Sequence, residues 1–105
     1  MKSGIDHRLT WYVVRTAPLM ERRAADKLRI SGYAVYLPTM RQERKYKWTH
    51  TYSTKERVLM PEYLFLGAVG SLYQAVNCFG VEGILSNGGY QGAPVRIPSV
   101  LIEAV

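Results

Sequence analysis

The apolar positions of this chain change period several times, and each change marks an element. From Leu9 to Thr16 ("LTWYVVRT") aromatic and β-branched residues alternate, with Trp11, Val13 and Arg15 on one face and Tyr12, Val14 and Thr16 on the other. That is the pattern of a strand. After Pro18 the spacing lengthens: Met20, Ala24 and Leu28 recur every fourth residue with Ala25 alongside, which predicts a helix. Pro18 suits its first turn and Ser31-Gly32 its stop; Arg22, Asp26 and Arg29 share the opposite side, with Arg23 and Lys27 adjoining. "YAVYLP" reads as a second strand and Met40 to Tyr46 as a third, while "KWTHTYSTKE" is the polar tip of a long hairpin returning through "RVLM" and "YLFLGAV". "SLYQAVNCF" is a short helix capped by Ser71, "GVEGILS" a strand, "NGGYQG" a turn, and "SVLIEAV" a last helix capped by Ser99. The order β-α-β-β-β-α-β-(β)-α predicts an α+β domain, a mainly antiparallel β-sheet flanked by helices. Its first strand–helix–strand unit suits a crossover connection. Residues 1–8 are expected to be a flexible leader and residues 9–105 one domain.

One stretch resists the pattern. "VLMPEYLFL", Val58 to Leu66, is apolar enough for a buried strand but carries Pro61 and Glu62 in its middle. Proline supplies no ladder donor and a carboxylate is costly to bury, so one continuous core strand is not expected. Beyond that break, Leu64, Leu66 and Ala68 alternate with Tyr63, Phe65 and Gly67. The leucine face is the natural core face. The two rings are either a second core or an aromatic patch for a protein partner.

Composition narrows the function classes. The 105 residues carry a formal charge of +6, which favours an acidic partner. A single cysteine, Cys78, permits no internal disulfide and agrees with a reducing compartment. No apolar run has the length of a membrane span or the form of a signal peptide, so a cytoplasmic protein is expected. His7, His50 and Cys78 are far apart in sequence, the carboxylates are scattered, and no phosphate-cradling glycine loop precedes a helix. No catalytic site, metal or cofactor is expected.

Binding has more support. Arg41, Arg44, Lys45, Lys47, Lys55 and Arg57 interleave with Tyr46, Trp48 and Tyr52 across residues 41–57. Cations neutralise phosphates and aromatic faces stack on unpaired bases, so this hairpin suits a single-stranded nucleic acid. The same residues equally suit a solvated edge hairpin whose charges discourage aggregation.

Taken in order, "WYVVRTAP", "GYAVYLPTMRQERK", "RVLMPEYLFL" and "FGVEGILSNGGYQGAPVRIPSVLIEAV" resemble the N-terminal domain of NusG-type transcription elongation factors, over nearly all the chain after Leu9. The nearest flavour is that of the specialised RfaH-like paralogues, whose matching motif reads Leu-Phe-Pro-x-Tyr-Leu-Phe-Val. The resemblance implies a monomer that rides on RNA polymerase, docks on the clamp helices of its largest subunit and suppresses pausing by closing over the DNA channel. It assigns the docking patch to Met60, Pro61, Tyr63 and Phe65, with Met60 where phenylalanine is usual. A second contact, to the opposite pincer, falls on Ser71, Leu72 and Tyr73, where RfaH-like proteins carry a histidine–threonine run. Arg15, Arg22 and Arg23 match basic residues that approach the non-template DNA strand, while Phe79 replaces the arginine usual before "GV". Family members continue into a small KOW barrel, and no KOW sequence follows within these residues, as expected of a domain cut from a longer protein or a naturally short form.

Overall fold

The computed structural model describes residues 5–45, 52–87 and 92–105. Among the described residues nine elements follow one another: β1 (Thr10–Thr16), α1 (Glu21–Ile30), β2 (Ala34–Tyr36), β3 (Thr39–Lys45), β4 (Tyr52–Val58), β5 (Tyr63–Ala68), α2 (Tyr73–Val76), β6 (Val81–Ile84) and α3 (Ser99–Glu103). They form the expected α+β arrangement, a four-stranded antiparallel sheet in the order β2-β5-β1-β6 beside a separate two-stranded hairpin, β3-β4. β1 and β2 are each antiparallel to β5 and therefore parallel to each other, so α1 belongs to a crossover that skips one strand.

The return of the hairpin differs from expectation. Four strands, not three, separate α1 from α2, because the chain breaks at Leu59–Glu62 and the two halves enter different sheets. The break is a tight turn in which Tyr63 N–H donates to the Met60 carbonyl at 3.1 Å. Pro61 presets the first central residue, and Glu62 takes the second at φ 70°, the form of a type II turn. A matching turn precedes α1: Met20 N–H donates to Ala17 C=O at 3.1 Å, with Pro18 first and Leu19 second at φ 62°. Pro18 thus stands ahead of the helix and not within its first turn.

Other ends follow the chemistry of their residues. α1 stops at a left-handed Gly32 (φ 97°), where Gly32 N–H reaches Arg29 C=O and Tyr33 N–H reaches Leu28 C=O, the paired bonds of a Schellman cap. Ser71 Oγ accepts from Tyr73 N–H at 3.1 Å, although Leu72 occupies the cap position of α2. Ser99 is the first residue of α3 and Pro98 its cap. The segment from Ala93 to Pro98, the bracketed strand of the expected order, forms no strand and touches its neighbours through bridges at Ser86–Pro94 and Trp11–Ile97.

The sheet has a core on each face. Val14, Leu64 and Leu66 pack beneath Ala24, Ala25 and Leu28 of α1 and Ala75 of α2, all at 0% exposure. On the other face Trp11 and Phe65 pack against Ile102 of α3, with Val13, Tyr36, Met60, Ile97 and Val105 around them. Within the leader segment, Trp11 Nε1 donates to Asp6 C=O at 3.1 Å, and His7 meets Ser99 Oγ at 2.6 Å and Glu103 Oε2 at 3.0 Å. Residues 5–8 are thereby fastened to α3 and β1.

Candidate docking surface

Strand register arranges the α3 face of the sheet in rows. Across β5 and β1, Gly67 lies opposite Trp11, Phe65 opposite Val13, and Tyr63 opposite Arg15. Tyr36 extends the Phe65 row on β2, and Gly83 extends the Arg15 row on β6. Side chains directly opposite one another share a face. Ile102 of α3 and Val105 just beyond it cover the first two rows. Tyr63 and Arg15 take no part in that cluster, and both are exposed. An open groove of about 560 Å³ runs there between Tyr63, Arg15 and the segment from Glu82 to Ser86.

The four residues assigned to docking therefore differ in what they offer a partner. Tyr63 is 39% exposed and Pro61 exposed, whereas Met60 is half-buried against the second core. Phe65 is only 7% exposed, its ring stacked on Tyr36 at 6.1 Å between centroids. The alternation placed both rings on one face; the position of α3 separates them, covering Phe65 and leaving Tyr63 open.

Arg22 and Arg23 stand on α1, on the opposite side of the sheet from Arg15. They line a second groove of about 550 Å³ with Arg57 of β4, shared with Glu21 and Glu56 and walled by Leu19, Val58 and Pro61. Arg22 Nη2 donates to Glu56 C=O at 3.2 Å, which ties α1 to the base of the hairpin. The structure thus brings helix and hairpin arginines to one groove, where they outnumber its carboxylates. Arg41 is exposed on β3, and Arg44 and Lys45 lie further along the same strand. Lys47 and Trp48 lie outside the described residues.

At the start of α2, Ser71 and Tyr73 are exposed, and Leu72 packs against the first core. Tyr33 Oη donates to Ser71 C=O at 2.9 Å and so holds the loop. Phe79, just beyond, is 61% exposed. Cys78 is half-buried against the first core, with Sγ 3.5 Å from Ser31 Oγ. Among the described residues no three His, Cys, Asp or Glu side chains gather as metal ligands, and no helix is long and apolar enough to cross a membrane.

Two contributors escaped the sequence reading. Arg57 was visible only as part of the hairpin, because nothing in linear order places it beside α1. Gly83 went unremarked, although an isolated glycine inside a strand pattern is a signal of close approach or missing bulk.

The sequence model of the NusG family, described as transcription termination factor nusG, matches residues 9–105. No curated protein matches the chain.

Proposed function

The chain belongs to the NusG family, whose members are transcription factors that interact with RNA polymerase, and we propose that it is an elongation or antitermination factor that binds the polymerase clamp helices and suppresses pausing. The observation that carries this reading is the placement of the two expected polymerase contacts on opposite faces of one sheet. Tyr63 is open on the α3 face, whereas α2, with Ser71, Leu72 and Tyr73 at its start, covers the other. A rigid sheet between two contact surfaces is suited to bridging two parts of one partner. The docking surface consists of Tyr63 and Pro61, with Met60 at the edge and Phe65 as a buried support. The start of α2 meets the opposite pincer. No covalent step is involved: the domain binds the closed polymerase more tightly than the open one and shifts that equilibrium. The Pro-x-Tyr-Leu-Phe motif supports the RfaH-like flavour, and pause suppression is assigned to residues 9–105 alone.

Purified core RNA polymerase tests the proposal directly. The protein should bind it and shorten pauses in vitro, and Tyr63→Ala should remove both effects while the domain remains folded. Unimpaired binding by that variant would refute the docking assignment.

A second reading is favoured by the cationic groove formed by Arg22, Arg23 and Arg57. It tracks a single strand of nucleic acid, the non-template strand on polymerase or a free strand in its absence. The free-standing reading requires tight, steeply salt-dependent binding to single-stranded DNA or RNA without polymerase.

A further inference from the structure

The open row of the α3 face carries an assignment that rests on the docking reading above. Arg15 has Tyr63 directly opposite on β5 and Gly83 directly opposite on β6. Its guanidinium therefore rises between an aromatic ring and a position with no side chain. A Cβ placed at Gly83 would meet no atom within 4 Å, so the backbone there floors an open notch. Leu85, 49% exposed, lines the same groove with Ile84. Among the described residues Arg15 takes part in no ion pair.

We propose that Arg15 receives a carboxylate side chain of RNA polymerase in the notch above Gly83, while apolar groups of the same polymerase segment pack on Tyr63 and Leu85. The guanidinium presents its donors in a planar fork that matches a carboxylate bidentately. Its setting argues against a phosphate chain. Arg15 is the one cation among the residues lining this groove, which also holds Glu82, whereas a strand bearing a charge at every nucleotide calls for several cations along its path. The arginines of α1 lie across the sheet, so a strand following Arg22, Arg23 and Arg57 runs on the other side from Arg15. One carboxylate flanked by apolar contacts fits both the cation and its surroundings. Arg15 thus acts in protein docking, apart from the nucleic-acid surface with which its sequence position grouped it.

The test measures equilibrium binding of the full chain to core RNA polymerase and, separately, to single-stranded DNA. Arg15→Glu should weaken polymerase binding about tenfold or more, as loss of a flanked charge pair does at interfaces. Arg15→Lys, which keeps the charge without the fork, should fall between it and the parent. Gly83→Leu, whose Cβ would meet no atom within 4 Å, fills the notch and should weaken binding comparably. Binding to DNA alone should be unchanged by all three. If Tyr63→Ala impairs polymerase binding but Arg15→Glu and Gly83→Leu do not, the carboxylate assignment fails and the docking reading stands. If Tyr63→Ala is itself without effect, the docking reading fails and takes this inference with it. Loss of DNA binding by Arg15→Glu with polymerase binding intact would place Arg15 on the nucleic-acid surface instead.

Discussion

The carboxylate of Glu21 accepts a 3.0 Å hydrogen bond from the backbone N–H of Glu62. The acceptor lies in the first turn of α1 and is 7% exposed; the donor is the left-handed residue of the Met60–Tyr63 turn. The carbonyl of Glu62 in turn accepts from Thr16 N–H at 2.8 Å. The turn that launches β5 is therefore fixed by α1 on one side and β1 on the other, and Tyr63 follows directly from it. An acidic group at this position also favours the helix N-terminus.

Removal of that carboxylate should be felt in stability. Glu21→Ala leaves a sequestered backbone donor without its acceptor and should cost about 1–3 kcal/mol in denaturant unfolding. Glu21→Gln retains an acceptor oxygen and should cost less. Equal stability of Glu21→Ala and the parent would mean that water replaces the carboxylate at no cost.

Two strand glycines should respond in opposite ways to alanine. A Cβ at Gly67 would come within 2.9 Å of Trp11 Cζ2, in a fully packed core. Gly67→Ala should therefore destabilise by about 1–3 kcal/mol, because the indole must move. Gly83 meets nothing, so Gly83→Ala should be neutral or stabilise by up to about 1 kcal/mol through reduced freedom of the unfolded chain. Paired thermal unfolding curves distinguish the two.

The two rings of β5 should separate stability from binding. Phe65→Ala removes a ring packed between Tyr36 and the α3 core and should cost about 3–5 kcal/mol, a large part of what a small domain possesses. Tyr63→Ala, at a 39% exposed position, should leave the unfolding midpoint close to that of the parent. A double substitution would confound the two effects, so docking is to be read from Tyr63 alone. An unfolding midpoint for Phe65→Ala equal to the parent would contradict the packing described.

The segment before β1 should show a pH signature. Hydrogen bonds from the Arg8 side chain, then from its backbone N–H, hold the Asp6 carboxyl below its ordinary value of 3.8. A lowered folded-state pKa contributes stability above the ordinary value and loses it as pH falls through the lowered one. The Asp6–Arg8 pair within this segment should thus be intact at neutral pH and be lost in acid. Arg8→Ala should return the Asp6 titration, followed by NMR, toward its ordinary position. An unchanged Asp6 titration in that variant would rule out Arg8 as the cause.

Much of the architecture was legible in linear order. β1 sorts Trp11 and Val13 from Tyr12 and Val14, α1 buries Ala24, Ala25 and Leu28, and Gly32 ends that helix, as periodicity and backbone chemistry require. These features depend on neighbours within a turn or a strand, so a local pattern determines them. The Pro61-Glu62 break was equally legible as a break. Its consequence was not: the turn sends β4 into the hairpin and β5 into the centre of the four-stranded sheet. Period also placed Tyr63 and Phe65 on one face without saying which would be covered. That depended on where α3, from the far end of the chain, settled: over Trp11 and Phe65, short of Tyr63 and Arg15. Alternation along a strand determines which way a side chain points; only packing between distant segments decides what lies above it, and in this protein that decided which residues remain free to meet a partner.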